Sequence, residues 1–369
     1  MPPPSNHNPA SLVDDGTTGG AAGLVYESSS AGHRGANQRL LASIFELKTM
    51  CAAMSWSTFV RLFRSRRLLL STFDDQAVVF ALLALLRGIA GRPTVAFFLR
   101  PHDSIQSSTL KQRIKGFGCA WIKRIPHFKL VTFTPFTIEP RFAAVAHFGV
   151  HDPQYWDQHD GSALRIPAAT EWSVTIAERA AGRRIVVFPG YITGDKGFRF
   201  FTDILANNPG LAEQVLFVAA GPVQPESVAS TTRFVAAGGL LVDRMLTDAE
   251  LESLYGFADL IWCCYPPSYD QASGIYGRAI QFNVRVIVRR GSLIARLASS
   301  LDCPYEPLDY NDTAEGGRIV MASRPLRHAP SNDHAHVIRS WRENFIQSVG
   351  HALGTQENVA RPDKRNVSS

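Results

Sequence analysis

The feature that most constrains the fold of this chain is an alternation of short apolar segments with amphipathic segments, which occurs in both halves. Apolar runs typical of strands occupy, in the first half, residues 23–27, 68–73, 94–100, 129–134 and 143–149. In the second half they occupy residues 183–192, 214–223, 239–242, 259–265 and 284–290. Helical patterns separate them, among them residues 74–91, 198–207, 248–258 and 274–282. Because strands that alternate with helices form parallel sheets, the sequence predicts an α/β protein with two Rossmann-like, doubly wound domains.

The length of 369 residues also favours two domains, since an ordinary domain has roughly 100–200 residues. A last amphipathic pattern predicts a C-terminal helix that packs back across the domains. The first residues are rich in Pro, Gly, Ser, Asn and Asp and offer little to bury. We therefore expect a disordered tail (1–22), an N-terminal domain (23–165), a C-terminal domain (183–333), the crossover helix (334–353) and a second disordered tail (354–369).

The composition of the chain bears on its cellular location and on the kinds of partner that it can bind. The longest uncharged apolar run, residues 77–86, is too short to span a bilayer, and the first residues lack the features of a secretory signal. The five cysteines are an odd number and two of them are adjacent, so we expect reduced thiols and a cytoplasmic protein. The net charge of +6 allows nucleic acid, anionic lipid or a phosphorylated small molecule as partner. No recognised nucleic-acid-binding module occurs, so we expect no nucleic-acid partner.

The segment 188–205 is the most informative one. A predicted strand ends at Pro189, and a glycine-rich loop with Lys196 leads into a helix. Loop glycines let main-chain N–H groups approach an anion, the start of the helix adds a positive dipole, and the lysine adds a charge. This combination suits a diphosphate, with Gly190, Gly194, Lys196 and Gly197 as the binding residues. The alternative is a glycine-containing joint with a purely structural role.

A second segment, residues 247–288, contains a capped helix, a strand, a polar loop and another helix. The loop carries Asp270, Gln271, Ser273 and Gly274, and it follows the carboxyl end of the strand. Ligands of open α/β sheets bind at that edge. The alternative is a plain βαβ unit with a polar loop.

These segments resemble the retaining-type glycosyltransferases of the GT-B fold, the group that includes family 4. FPGYITGDKGF is similar to the phosphate loop of that family, and DAELESLYGFADLIWCC is similar to the helix and strand before its sugar-nucleotide loop. SYDQASGIYGRAIQFNVRVIV is similar to the donor loop itself. In the first half, GHRGANQRLL resembles the first acceptor-side loop, and FFLRPHD resembles a strand end that carries a histidine near the reacting centre.

The resemblance implies a hexosyltransferase-like enzyme of polysaccharide or glycoconjugate biosynthesis. It implies transfer of a sugar from a nucleotide-diphosphate donor to a saccharide or lipid-linked acceptor, with no metal and no cofactor besides the donor substrate. The implied catalytic residues are His102 and Asp270. The implied donor-binding residues are Gly190, Gly194, Lys196, Gly197, Gln271, Ser273 and Gly274. The implied acceptor-side residues are Gly32, His33 and Asp103.

The chain departs from the family pattern at two places. Many relatives place two glutamates eight positions apart in the donor loop and helix, whereas this chain has Asp270 and Arg278. A guanidinium cannot accept hydrogen bonds from ribose hydroxyls. Where many relatives have an arginine before the loop lysine, this chain has Tyr191 and Ile192. Two alternatives therefore stay open: a sugar-nucleotide epimerase on the same fold, and a non-catalytic sugar-nucleotide-binding subunit.

Two further groups of residues suggest a membrane surface and a metal ion as possible ligands. Basic residues interleave with aromatic and aliphatic ones over 111–129, as in a helix that lies on an anionic membrane. This predicts peripheral contact with the inner face of the membrane, and the alternative is a solvated basic face over a buried one. His151, Asp152, His159 and Asp160 share one irregular loop without the spacing of a metal site, so we expect no metal there.

Overall fold

The strands of this protein form two parallel sheets, as the sequence predicts. The structure is a computed structural model that describes residues 23–29, 33–105, 110–157, 167–301, 303–323 and 332–355. The first sheet contains β1 (Leu24–Glu27), β2 (Lys48–Cys51), β3 (Leu68–Leu70), β4 (Thr94–Phe98), β5 (Phe128–Thr132) and β6 (Phe148–Gly149). The second contains β7 (Arg184–Pro189), β8 (Val215–Ala220), β9 (Leu240–Val242), β10 (Leu260–Cys263), β11 (Val286–Arg289) and β12 (Tyr305–Leu308). All pairings between neighbouring strands are parallel.

Each sheet is doubly wound, because the chain starts near the middle and later reverses its direction of growth. The first sheet has the order β2-β1-β3-β4-β5-β6 and the second has the order β12-β11-β10-β7-β8-β9. The strand order therefore reverses between β1 and β3 in the first sheet and between β7 and β10 in the second. In open α/β sheets such a switch point leaves a crevice at the carboxyl ends of the strands, where ligands bind.

Helices connect the strands and cover both faces of each sheet. Those of the first half are α1 (His33–Phe45), α2 (Trp56–Arg64), α3 (Ala77–Ile89), α4 (His102–Ile105) and α5 (Leu110–Ile122). Those of the second half are α6 (Glu171–Ala180), α7 (Phe198–Asn207), α8 (Leu211–Gln214), α9 (Val228–Ala236), α10 (Asp248–Phe257), α11 (Gly274–Gln281), α12 (Leu293–Ser300), α13 (Thr313–Ala322) and the final α14 (Asn332–Leu353). Across the described ranges, each helix is too short or too polar to cross a bilayer.

Alternating side chains of the first sheet divide its core in two. On β1, Val25 packs with α1 and α14 on one face, while Tyr26 packs with α2, α3 and α5 on the other. This is the two-residue period of a strand that is buried on both faces. The second sheet is covered by α7, α9 and α13 on one face and by α6, α10, α11 and α12 on the other.

The C-terminal helix packs back against the first sheet, which confirms the predicted crossover. Phe345 of α14 lies 6.0 Å from Phe45 of α1 and 5.8 Å from Phe97 of β4, measured between ring centroids. Trp156, which follows the first sheet in the chain, lies 5.2 Å from the same ring. One buried apolar cluster consequently continues from the first sheet to the second.

Some predicted elements differ from the structure. Within 143–149 only Phe148–Gly149 is a strand, because Glu139 accepts the N–H of Arg141 (3.3 Å) and Pro140 starts a short 3-10 turn over Pro140–Ala144. The helical pattern within 111–129 covers only part of that segment: α5 ends at Ile122, and Phe128 is buried at the start of β5. The strands β2 and β12 were not predicted. The predicted tail 1–22 and residues 356–369 of the predicted tail 354–369 lie outside the described residues, and the domain limits stay predictions.

Candidate active site

The switch point of the second sheet brings together the two loops that the sequence singles out. β7 and β10 are adjacent, so the loops that follow them leave the same edge of the sheet. A 3-10 turn in the first loop, Gly194–Lys196, contacts a 3-10 turn in the second, Pro267–Tyr269. About seventy residues separate these loops along the chain, and the parallel pairing of β7 with β10 brings them together in space.

Gly190 shapes the floor of this crevice. Its φ of +82° is a left-handed conformation that favours glycine, and its N–H donates to the carbonyl of Ala220 (2.8 Å). A Cβ at this position would lie 3.4 Å from Nζ of Lys196 and 3.9 Å from Cδ1 of Ile275. The lysine ammonium therefore lies over the loop, beside the first turn of α11.

Gly197 has a structural role that differs from the predicted one. Its N–H donates to the carbonyl of Gly194 (2.9 Å), so this group does not point at a ligand as the sequence suggested. A Cβ on Gly197 would lie 2.5 Å from the carbonyl oxygen of Cys264, and Nε1 of Trp262 donates to the carbonyl of Lys196 (3.1 Å). The glycine thus lets the loop pack tightly against the end of β10, which holds Lys196 in place. Gly194 itself is exposed, with open space around it.

The ammonium group of Lys196 is half-buried and, within the described part of the chain, its Nζ has no hydrogen-bond or ion-pair partner. Burial lowers the pKa of Lys196 because it removes water from the charged form. A desolvated cation without a counter-charge, located in a crevice, is a site that an anion would stabilise.

The start of α11 adds to this positive environment. Ser273 stands at the position before the helix, yet its hydroxyl pairs with the Tyr265 hydroxyl (2.9 Å) and does not cap the helix. Gly274 is the first helical residue, and the absence of a side chain leaves room for Gln154 to pack against the start of the helix. Helix N-termini bind phosphate through such N–H groups and the helix dipole. Gln271 lies half-buried in the preceding loop.

Asp270 is fixed by two contacts that the sequence did not reveal. Its Oδ1 accepts the N–H of Leu293 at the start of α12 (2.8 Å) and forms an ion pair with Nη2 of Arg289 of β11 (2.8 Å). The Arg289 guanidinium also donates to the carbonyl of Tyr265 (3.1 Å). Both contacts use the same oxygen of the carboxylate. Asp270 is therefore a rigid side chain at the rim of the crevice.

Arg278, the departure from the family pattern, pairs with Asp157 of the segment that follows the first sheet. Its two terminal nitrogens contact the two carboxylate oxygens at 2.5 and 2.9 Å. Gln281 on the next turn of α11 donates to Asp157 (3.0 Å) and to the carbonyl of Gln154 (2.7 Å). A Cβ on Gly274 would lie 1.7 Å from Oε1 of Gln154. The segment 152–157 thus packs along α11 as far as its N-terminus.

His102 stands at the carboxyl end of β4 in the first sheet, where it begins α4. Its ring lies edge-on to Phe142 with centroids 6.1 Å apart, and its Nδ1 is buried with no hydrogen-bond partner among the described residues. Three residues before Phe142, Glu139 accepts a hydrogen bond from Arg296 of α12 (2.8 Å). This ion pair links the surroundings of His102 to the second sheet, on the side where α12 meets Asp270.

The acceptor-side residues are less well defined. Gly32 lies outside the described residues, and only the backbones of His33 and Asp103 are described, at the start of α1 and within α4. The switch point of the first sheet instead shows a cluster that the sequence did not predict. The buried carboxylate of Glu27 accepts hydrogen bonds from the hydroxyl of Thr72 (2.9 Å) and from Arg34 (3.3 Å).

The described part of the loop that contains His151 and Asp152, after the first sheet, packs in the protein interior. His151 stacks on Trp341 of α14 with ring centroids 4.3 Å apart, and burial lowers its pKa to about 4. Asp152 is buried and caps the following turn through the N–H of Gln154 (2.9 Å). His159 and Asp160 lie outside the described residues. Within the described ranges, no three His, Cys, Asp or Glu side chains form a metal-binding group.

Comparison with known proteins identifies the class of fold. In sequence, no protein-family model and no curated protein matches this chain. Among solved structures, HepE from Anabaena in complex with UDP and glucose is 10% identical with a TM-score of 0.62, over 91% of this chain and 100% of that one. WaaG, a glycosyltransferase involved in lipopolysaccharide biosynthesis, is 15% identical with a TM-score of 0.54, over 90% and 99%.

A third similar structure is an α,α-trehalose-phosphate synthase (UDP-forming) from Burkholderia xenovorans in complex with glucose-6-phosphate. It is 11% identical, with a TM-score of 0.51, over 81% of this chain and 79% of that one. Identities this low establish the fold and nothing more specific. The chain therefore has the GT-B fold of these glycosyltransferases, as the sequence predicts.

Proposed function

We propose that this protein is a glycosyltransferase that moves a sugar from a nucleoside-diphosphate donor to a saccharide or lipid-linked acceptor. The observation that carries the proposal is the unpaired, half-buried ammonium of Lys196 beside the N-terminus of α11, at the switch point of the second sheet. The fold supports it, because the similar structures include one that holds UDP and glucose. A role in polysaccharide or glycoconjugate biosynthesis is part of the proposal.

In this proposal the crevice acts mainly through electrostatics. As the bond between the sugar and the diphosphate breaks, negative charge grows on the departing phosphate oxygens. Lys196 and the first N–H groups of α11 stabilise that charge, and they do so strongly because the site is partly desolvated. Gly190 leaves the backbone open to the phosphates, and Gly194, Gln271 and Ser273 line the approach. The donor is a substrate, and the mechanism uses no further cofactor.

The sugar would be held from both sheets. Asp270, oriented by Arg289 and by the start of α12, has a second carboxylate oxygen that can accept a hydrogen bond from a sugar hydroxyl. His102 approaches from the first sheet and would orient the sugar or the acceptor. The loop of Gly32 and His33 and the side chain of Asp103 would line the acceptor side. Cytoplasmic location stays a prediction of the sequence.

One observation favours the non-catalytic alternative. The position where many relatives have a glutamate for the ribose is filled by Arg278, and its guanidinium is occupied by Asp157. A protein that binds the nucleotide through its phosphates alone would have this arrangement. Binding of a nucleotide sugar with neither transfer nor hydrolysis would support that alternative.

The donor site is tested by titrating UDP, GDP and dTDP into the wild type and Lys196→Ala in a calorimeter. We expect at least one nucleotide to bind, and we expect the variant to lose about 1.5–3 kcal/mol of binding free energy, the value of a hydrogen bond to a charged group. Lys129→Ala, at an exposed lysine of β5, is the matched control and should bind as the wild type does. Equal affinities in a folded Lys196→Ala protein would disprove the assignment.

The reacting centre is tested by turnover of the donor that binds. His102→Ala should keep its nucleotide affinity and lose kcat, because a group at the reacting centre contributes mainly in the transition state. His351→Ala, at an exposed histidine of α14, controls for the substitution itself. If His102→Ala loses nucleotide binding and keeps its turnover per bound donor, the placement of the centre between the sheets is wrong.

A further inference from the structure

The outer face of α3 is apolar over its whole length. The inner face packs Phe80, Leu83 and Ala84 into the core of the first sheet. The outer face exposes five aliphatic side chains, with exposed fractions of 85% for Val78, 53% for Leu82, 44% for Leu85, 39% for Leu86 and 75% for Ile89. A helix of a globular protein that is apolar on all sides is normally covered on all sides.

The only charged residue of α3 does not reach this face. Arg87 is fully buried and points inward, where it donates to the carbonyls of Leu62 and Ser65 (2.7 and 2.8 Å) and to the hydroxyl of Thr94 (2.7 Å). Its charge is therefore used to join α3 to the end of α2. The α3 outer face is left with aliphatic groups and no polar side chain.

The neighbouring helices surround this face with aromatic and basic side chains. α2 contacts α3 along one side, and on the other side Gly88 packs against Ile125 and Pro126, which follow α5. Neither α2 nor α5 contains an acidic residue. Three aromatic side chains on these two helices are largely exposed: Trp56, Phe117 and Trp121. Exposed arginines accompany them: Arg61, Arg64, Arg66 and Arg124.

We propose that this surface, the α3 outer face with its aromatic and basic surroundings, binds to an anionic lipid bilayer. α3 has 13 residues and is about 20 Å long, too short to cross the hydrocarbon core, so it would lie in the plane of the interface. Aliphatic groups would then enter the acyl boundary, tryptophans the headgroup level, and arginines would meet lipid phosphates. The sequence placed membrane contact on 111–129, whereas the structure moves its centre to α3.

Charge decides between a bilayer and a second copy of the chain. If two copies packed through this face symmetrically, the arginines of one copy would approach those of the other and repel them. An anionic bilayer supplies both an apolar interior and negative headgroups. The proposal goes beyond sugar transfer, because binding to vesicles requires neither donor nor acceptor.

The test is sedimentation with vesicles of pure phosphatidylcholine and of an equimolar mixture of phosphatidylcholine and phosphatidylglycerol. The wild type should sediment with the mixed vesicles, and less so with the neutral ones or at high salt. Val78→Ser/Ile89→Ser should lower the apparent affinity for the mixed vesicles by about tenfold or more. The matched control is Val228→Ser/Val235→Ser, at two exposed valines of α9, and it should bind like the wild type.

A second variant, Arg61→Gln/Arg64→Gln, leaves the α3 outer face intact and should weaken binding to the mixed vesicles while reducing its salt dependence. Thermal melting shows whether each variant is folded. The proposal is overturned if the wild type binds neither vesicle, or if the apolar variant binds as well as its control. It is also overturned if the wild type sediments as a dimer in the ultracentrifuge and Val78→Ser/Ile89→Ser converts it to a monomer without any vesicle binding.

Discussion

The ion pair between Arg278 and Asp157 offers a direct test of how the chain replaces the family glutamate. The guanidinium binds both carboxylate oxygens, and Gln281 adds a third hydrogen bond to the same carboxylate. We therefore expect Arg278 to stabilise the contact between α11 and the segment 152–157 and to have no part in binding the nucleotide. The perturbation is a double-mutant cycle with Arg278→Met and Asp157→Asn.

The burial of the pair determines how much each substitution should lower the free energy of unfolding. The two side chains are 22% and 17% exposed, so the pair lies between the surface and the interior. Exposed ion pairs contribute about 0–1 kcal/mol, and removal of one partner from a fully buried pair costs about 3–5 kcal/mol. Each single substitution should therefore lower the free energy of unfolding by about 2 kcal/mol, and the double variant should lose less than the sum.

The free energies come from urea unfolding followed by tryptophan fluorescence, to which Trp156 within the segment should contribute. A matched control is the cycle between Arg244 and Glu250, an equally bidentate pair whose arginine is 45% exposed against 22% for Arg278, so its coupling should be smaller. Nucleotide titration of Arg278→Met should give the wild-type affinity.

Two results would refute this reasoning. A coupling energy below about 0.5 kcal/mol would mean that the pair does not hold the segment against α11. A tenfold loss of nucleotide affinity in a fully stable Arg278→Met protein would mean that the arginine binds the donor instead.

Two further predictions concern stability. Burial raises the pKa of Asp152 to about 7 from 3.8, so the folded state favours the protonated form and its stability falls as pH rises from about 4 to about 7. Asp152→Asn keeps the oxygen that caps Gln154 but has no carboxyl group to titrate. The free energy of unfolding of this variant, measured in urea, should therefore rise relative to that of the wild type by up to about 4 kcal/mol across that pH range. The same difference between the two proteins at pH 5 and at pH 8 would contradict this. Gly197→Ala should cost about 2 kcal/mol or more, because φ is +76° and the new Cβ would lie 2.5 Å from the carbonyl of Cys264. Gly194→Ala, with open space around it, should cost little, and equal losses in the two variants would argue against this account of the loop.

Local patterns in the sequence were sufficient to predict most of the helices and strands and to identify the two loops of the candidate site. Both ends of α7 and the start of α11 at Gly274 were predicted, because apolar periodicity and glycine positions fix them locally. The edge strands β2 and β12 escaped prediction for a physical reason as well. β2 alternates weakly and is mostly exposed, and β12 contains Pro307, which lacks the N–H that a central strand needs.

The sequence by itself determined that there are two doubly wound halves, and that a glycine-rich loop with Lys196 and a polar loop before α11 follow strands of the second half. Only the tertiary structure decided that β7 lies beside β10, which brings these loops together. It also decided that Asp270 binds Arg289, that Arg278 binds Asp157 across 121 positions, and that Arg87 turns inward. Periodicity records only whether a side chain is apolar or polar, whereas its partner depends on which distant segments the packing of sheets and helices brings into contact.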